Sequence, residues 1–117
     1  MLKGGWKTAT IDISADDDLS DEVDLGSEFD KLTVLIPTIT SSVVTVHVSK
    51  SSGGTYYPMY KHDDDATGDF AHATTAATTS KAITFDIGGV RFIKISTGSA
   101  QTTTDKVFYV QGFNTGS

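Results

Sequence analysis

The strongest constraint in this sequence is an alternation of apolar and polar residues with a period of two. It is clearest where Leu32, Val34 and Ile36 follow one another at every second position. Successive side chains of a β-strand point to opposite sides of the sheet, so such a segment buries one face and exposes the other. Nowhere does the alternation give way to the three-and-four spacing of an amphipathic helix over a full helix length. The sequence therefore predicts an all-β fold.

The composition favours the same fold class and restricts the partners. Nearly all acidic residues are Asp, which prefers turns and caps to helix interiors. The formal net charge is -6, and such a surface repels phosphate backbones and anionic lipid, so we expect neither nucleic acid nor a membrane as a partner. Cysteine is absent, which excludes disulfides and thiolate metal sites. Folding must then rest on the burial of apolar surface.

Eight short strands are predicted, separated by glycine, proline, serine and aspartate. Pro37 has no N–H for a sheet ladder and therefore closes the strand before it. Residues 51–54 form the tight reversal of the clearest hairpin, and Gly88 and Gly89 are expected to turn the chain between two later strands. Eight short strands with polar connections are typical of a two-sheet sandwich or a small barrel.

The length of 117 residues suits one compact unit, and we interpret residues 1–117 as a single β-sandwich domain. Residues 1–6 are predicted to form a flexible N-terminal arm, because two glycines follow Lys3. Residues 63–81 consist mainly of Asp, Ala, Thr and Gly and are predicted to form a long exposed loop. Residues 114–117 are predicted to fray.

Closely spaced aspartates raise the question of a metal site. Asp16, Asp17 and Asp18 form one group, and several further aspartates lie between residues 63 and 69. Neither group has the glycine and closing glutamate of the twelve-residue calcium loop, and three adjacent side chains are not expected to point inward together. We therefore predict solvated turns, with no bound metal and no other cofactor.

Catalytic machinery is not apparent in the sequence. No serine lies in a glycine-flanked elbow, and no glycine-rich segment resembles a phosphate-binding loop. His47 lies in a predicted strand, and its position between Val46 and Val48 places it toward solvent or a partner chain. The sequence predicts a protein that is not an enzyme.

The most distinctive group of side chains is aromatic. On a strand, Tyr56, Pro58 and Tyr60 would face one way, whereas Tyr57 and Met59 would face the other. Rings with polar tips can cover the edge of a sandwich, fill a protein interface or stack on sugars, and the pattern leaves these alternatives open. Trp6 adds a large anchor beside two flexible glycines. The candidate interface residues are Trp6, His47, Tyr56 and Tyr60.

Four segments together resemble a group of small tailed-phage proteins. They are residues 19–26, 32–37, 54–60 and 89–95, within a resemblance that covers residues 9–113. Those proteins look like virion-associated jelly-roll sandwiches related in shape to galactose-binding domains. The resemblance implies an antiparallel jelly-roll β-sandwich of about eight strands. Its sheet-forming positions here are Val23, Leu25, Val90, Phe92, Ile93 and Ile95.

The resemblance also implies a function. The chain is expected to be a bacteriophage capsid decoration or cement protein, located in the virion, that binds and stabilises the outside of the shell. Its partners would be the major capsid protein or other virion proteins and its own copies in a small homo-oligomer, with a trimer favoured. The alternatives are a neck or tail component and a carbohydrate-binding module for host attachment. A single Arg and a single Asn leave few directional donors for a sugar, which favours the structural function.

Overall fold

The computed structural model describes residues 2–61, 70–71, 73–77 and 79–115. This part of the chain is all-β, antiparallel and without a helix, which confirms the predicted fold class. In the described residues there is accordingly no apolar helix of a length that could cross a membrane. The strands are β1 (Lys7–Ile11), β2 (Val23–Ile36), β3 (Ser42–Ser49), β4 (Tyr57–Pro58), β5 (Tyr60–Lys61), β6 (Phe70–Ala71), β7 (Ala73–Ala76), β8 (Lys81–Thr97) and β9 (Lys106–Phe113).

Seven of these strands form one hydrogen-bonded sheet. Its order is β1-β9-β2-β8-β3-β4, with β7 also paired to β3, while β5 and β6 form a separate pair. The two longest strands, β2 and β8, pair with each other through two shifts of register, between Asp24 and Phe29 and between Phe29 and Lys31. Such irregularities bend a strand and increase its twist.

The bends fold the sheet into two layers that face each other. The first layer contains residues 7–11, 29–36, 81–87 and 106–113, and the second contains residues 23–25, 42–49, 57–58, 73–76 and 90–97. The inward-facing side chains of both layers belong to one core. This is the arrangement of a sandwich whose long strands pass from one layer to the other. The largest fully buried core residues are Phe85, Phe108, Ile11, Leu32, Ile36, Ile87, Ile93, Ile95, Val34, Val44, Val46 and Val110.

Three glycines lie at the bends of β2 and β8, and two of them differ from their predicted role. Gly26, Gly88 and Gly89 have φ angles of 86°, 71° and 84°, the left-handed region that glycine adopts without strain. Gly88 and Gly89 were expected to reverse the chain between two strands, but β8 runs through them as one bent strand. The backbone freedom of glycine permits either outcome, and pairing with β2 on both sides of the bend selects the corner.

The N-terminal residues are attached to β9, and the residues that follow β9 are attached to Leu2 and Asp30. Lys3 forms a bridge with Phe113, and the N–H of Gly4 donates to the carbonyl of Gly112 at 2.9 Å. The arm predicted to be flexible therefore lies along the sheet over residues 2–4. The predicted fraying does not begin at Asn114, whose N–H donates to the carbonyl of Leu2 at 2.7 Å and whose side-chain oxygen accepts from the N–H of Asp30 at 2.9 Å.

The prediction of a long exposed loop over residues 63–81 is wrong at β7. This strand pairs with β3 from Ser42 to Thr45, and its residue Ala76 is buried. Threonine is β-branched and suits a strand, and here it supplies the two central residues of β7, between alanines. Residues 62–69, 72 and 78 lie outside the described residues, and with them the predictions made for the aspartates at 63–69.

Candidate functional site

The candidate interface residues lie on opposite sides of the molecule. Trp6 extends the outer face of the first layer, whereas His47 and Tyr56 lie on the outer side of the second. Tyr60 begins β5, two residues beyond the pairing of Pro58 with His47. The structure therefore does not bring all four together, and a single flat interface could contain either Trp6 or the other three.

The outer face of the first layer carries the largest exposed apolar side chains of its strands. Thr8 lies opposite Tyr109, Tyr109 lies opposite Leu35, and Leu35 lies opposite Ala82, which gives one row across four strands. Trp6 precedes Thr8 by two residues and extends the same face. We call this surface the Trp6–Tyr109 face. It comprises Trp6, Thr8, Leu35, Ala82, Val107 and Tyr109 together with the outward threonines Thr10, Thr33 and Thr84.

The apolar side chains of the Trp6–Tyr109 face are well exposed to solvent. Trp6, Leu35, Val107 and Tyr109 are between 37% and 49% exposed. On β9, Phe108 and Val110, which alternate with Val107 and Tyr109, are fully buried. β9 is therefore apolar on both of its sides. A strand that is apolar on both sides is typical of a sheet covered on both faces.

This face has almost no charge. Among the outward positions that the pairing registers of β1, β9 and the first-layer parts of β2 and β8 define, Lys31 and Asp86 are the charged ones, and Lys3 joins them at one corner through its bridge with Phe113. Lys31 and Asp86 form an ion pair with each other, and the hydrogen bond from Lys31 to Asp86 raises the pKa of the lysine. The face thus carries little charge and no excess of acidic side chains, on a protein whose net charge is -6.

The outer side of the second layer is organised around one carboxylate. Glu22 precedes β2 and accepts hydrogen bonds from Ser52 Oγ at 2.7 Å, from the N–H of Gly53 at 2.8 Å and from Tyr56 Oη at 2.5 Å. Lys94 Nζ lies 4.8 Å from the centre of the Tyr56 ring. We call these five residues the Glu22 cluster. Its hydrogen bonds connect the turn after β3 to the start of β2.

The protonation states within the Glu22 cluster follow from these contacts. Hydrogen bonds from Ser52, Tyr56 and Gly53 lower the pKa of Glu22, and Lys94 lowers it further. Burial raises the pKa of Tyr56, and its hydrogen bond to Glu22 adds to the effect. Glu22 is therefore ionised and Tyr56 neutral at pH 7. The Tyr56 hydroxyl is already used inside the fold and is not free for a partner.

His47 lies beside this cluster, paired across the strands with Lys94 on one side and Pro58 on the other. Burial lowers the pKa of His47, and the nearby charge of Lys94 lowers it further, so the ring is neutral at pH 7. A catalytic histidine is usually oriented by a carboxylate, whereas the neighbour of His47 is a cation.

The tyrosines most open to solvent are Tyr57 and Tyr60, at 61% and 55%. The regular strand assumed from the sequence is interrupted here, because β4 ends at Pro58 and β5 begins at Tyr60. Between them, the N–H of Met59 donates to the carbonyl of Val46 at 2.9 Å. The interruption explains why simple alternation does not describe which rings are displayed.

The turn after β1 brings three carboxylates together. Ligand oxygens of Asp16, Asp17 and Asp18 all lie within 4.8 Å of one another, and all three residues are exposed. As expected, the three side chains do not point into the protein, but their oxygens come together on its surface. A hydrogen bond with Asp16 is the main cause that raises the pKa of Asp18. In the described part of the chain these aspartates are the one cluster with the donor atoms for a metal ion.

Sequence reasoning missed most of the Trp6–Tyr109 face. It identified Trp6 but not Leu35, Val107 or Tyr109. A signal was present in residues 107–110, where four consecutive apolar residues break the alternation. In an antiparallel strand with one solvated face, such a run indicates that the second face also has a partner.

Comparison with known proteins gives a fold but no family. No protein-family model matches the sequence, and no curated protein matches it. The structure is similar to that of the SPBc2 prophage-derived protein YomS, with a TM-score of 0.54 and 16% identity over 96% of this chain and 95% of that one. At this identity the similarity concerns the fold.

Two further matches have TM-scores under 0.5. The CBM29_1 carbohydrate-binding module from Piromyces equi gives 0.48 at 12% identity, covering 86% of this chain and 68% of that chain. The Tobacco streak virus coat protein gives 0.40 at 10% identity, covering 93% and 83%. Neither score is high enough to establish a common fold.

Proposed function

We propose that this chain is a structural protein of a bacteriophage particle, which binds the outside of the capsid shell as a decoration protein and stabilises it. The observation that carries the proposal is the Trp6–Tyr109 face. Exposed aromatic and aliphatic side chains on a contiguous surface with little charge are typical of an interface between proteins. The protein thus functions as a component of an assembly, in which this face is covered by protein.

The shape of this face favours a protein partner over a small molecule. It is the side of a four-stranded half-sheet, in which Thr8, Tyr109, Leu35 and Ala82 lie in one row. Small-molecule sites are concave and surround most of their ligand. The outer face of a sheet is broad and open and does not surround a ligand, so it is better suited to contact with another protein surface.

Two further observations support the location. The fold is similar to that of a prophage-derived protein over nearly the whole length of both chains, which supports a phage particle as the assembly. The net charge of -6 favours the outside of the shell, because packaged DNA fills the inside with phosphate charge that repels an acidic protein.

The proposal is tested on particles of the phage that encodes the chain. Complete particles, particles stripped of the protein and stripped particles with purified protein added back are heated, and DNA release is followed with a dye. We expect stripped particles to release DNA at a lower temperature and added protein to restore the original value. Equal release temperatures for all three would contradict a role in shell stability.

Two measurements separate the alternatives. Quantitative mass spectrometry gives the copy number in each particle: on the order of hundreds supports the shell, whereas about a dozen or fewer supports the neck or tail. Adsorption to host cells tests the carbohydrate-binding alternative. A loss of adsorption with an unchanged release temperature would favour that function over decoration.

A further inference from the structure

We infer that two copies of this chain pack through the Trp6–Tyr109 face to form a symmetric dimer. The inference rests on the proposed function in that this face is buried in an assembly; it names the occupant of the face as a second copy, so that the dimer binds the shell through its remaining surfaces. The sequence alone favoured a trimer and left the contacting face open.

Charge supports a second copy as the partner. Two chains that each carry a net charge of -6 repel one another over most of their surface. On the Trp6–Tyr109 face the charged side chains are Lys31 and Asp86, which neutralise each other within one chain, and Lys3 at one corner. Two identical acidic proteins therefore repel one another less at this face than elsewhere.

The pattern of large and small side chains on the face also suits contact with the same face of a second copy. The row across the four strands has large side chains in its centre, Tyr109 and Leu35, and small ones at its ends, Thr8 and Ala82. A two-fold axis at the centre of this row places Tyr109 of one copy opposite Leu35 of the other and Thr8 opposite Ala82, so the large apolar side chains meet at the centre of the interface. Packed sheets lie about 10 Å apart, with the side chains of the two faces interdigitated.

The available area determines how many copies fit. Four strands spaced about 4.8 Å apart and about seven residues long give a face of roughly 450 Å² in projection, or about 900 Å² for two copies. This is close to the roughly 1,000 Å² at the lower limit for a specific interface, so essentially the whole face must be covered and the dimer is expected to be weak. Once a partner covers the whole face through the same surface, no further copy can attach there, and the assembly closes at two.

The backbone on both sides of Trp6 is attached to β9 before any partner binds, because Lys7 pairs with Val110 and Gly4 is hydrogen-bonded. The carbonyl of Gly4 accepts a hydrogen bond from Gln111 Nε2 at 2.9 Å, and the N–H of Gly4 donates to the carbonyl of Gly112 at the same distance. The backbone just before Trp6 is thus attached to β9. An anchor whose backbone is fixed in advance loses less conformational entropy on binding.

The test is the mass of the purified full chain in solution. We expect sedimentation velocity between about 1 and 200 µM to show a species of twice the 12.4 kDa chain mass. Leu35→Lys and Tyr109→Lys each place an unpaired charge in the interface and should weaken dimerisation roughly 100-fold. Tyr57→Lys is the matched control, because Tyr57 is more exposed still and lies in the second layer.

The fluorescence of Trp6, the only tryptophan, gives a second measurement. Its emission should move to shorter wavelength as the concentration of wild type or Tyr57→Lys rises, and should stay constant for Leu35→Lys. A monomer at all concentrations, a trimer mass, or a dimer that survives both lysine variants would overturn the inference.

The dimer and the proposed function fail in different ways. A monomeric chain that still restores heat resistance to stripped particles would remove the dimer and leave the decoration function intact. A dimer that neither binds nor stabilises particles would do the opposite.

Discussion

The Tyr56 hydroxyl donates a hydrogen bond of 2.5 Å to the carboxylate of Glu22, which stands 34 positions earlier in the chain. The same carboxylate accepts from Ser52 and from the N–H of Gly53. One side chain therefore joins the turn after β3 to the beginning of β2. Because the turn leads directly to Tyr57 and Pro58, this contact also helps to position β4.

Tyr56→Phe removes the hydroxyl but keeps the ring. We expect it to lower the free energy of unfolding by about 1 kcal/mol, the usual net contribution of a hydrogen bond, and to lower the melting temperature by roughly 4 °C. Thermal unfolding followed by circular dichroism measures the change. Tyr57→Phe, at a neighbouring exposed ring, is the control and should melt like the wild type. If both variants melt like the wild type, the Glu22 cluster does not contribute to stability.

The ion pair between Arg91 and Asp24 predicts a dependence of stability on pH. Arg91 Nε and Nη2 donate to the two carboxylate oxygens at 2.7 and 3.0 Å, and this is the main cause that lowers the pKa of Asp24 to about 2. A lowered folded-state pKa stabilises the protein above the unfolded-state value of about 3.9, and this contribution is lost as the pH falls toward 2. Asp24→Asn should therefore melt below the wild type at pH 6 and alongside it at pH 2.

Asp17→Asn provides the control for this measurement, since it removes another exposed carboxylate without touching Arg91. The difference in melting temperature between Asp17→Asn and the wild type should not disappear on going from pH 6 to pH 2, as the difference for Asp24→Asn should. A gap between wild type and Asp24→Asn that is equally large at pH 6 and pH 2 would contradict the assignment of the ion pair.

The strands were predictable because alternation is a local property. Val44 and Val46, for example, are identified as inward by their own neighbours, and both are fully buried. The corners in β2 and β8 were not predictable in the same way. A glycine such as Gly88 permits a positive φ, but whether the chain then reverses or bends depends on distant strands that pair with it.

The same distinction applies to the surface. Trp6 is noticeable in the sequence as a large ring beside glycines, whereas Leu35 and Tyr109 each look like ordinary strand residues. They form a face only because β2 and β9 pair in one particular register. The convergence of the aspartates after β1 is likewise set by the turn, in which the carbonyl of Asp12 accepts from the N–H groups of Ala15 and Asp16.

The cluster of Asp16, Asp17 and Asp18 is not expected to make folding depend on a metal ion. All three residues are exposed, so water competes for any cation at this position. Melting with a chelator and then with excess calcium should give temperatures within about 5 °C, which corresponds to roughly 1 kcal/mol. A larger rise with calcium that Asp16→Asn abolishes would identify a functional site at this turn.

Gly112 lies directly against the buried ring of Phe29, where β9 holds the N-terminal residues. A Cβ added at Gly112 would lie 2.3 Å from Phe29 Cδ2, so the buried ring would have to move. Gly112→Ala should cost about 1 to 3 kcal/mol by overpacking, measured by urea unfolding. Gly5→Ala is the matched control, because a Cβ there meets nothing within 4 Å. Phe29→Leu combined with Gly112→Ala should regain part of the lost stability, because a smaller side chain makes room for the added methyl group. If Gly112→Ala is as stable as the wild type, the ring does not press on β9 and the N-terminal residues are held by their hydrogen bonds alone.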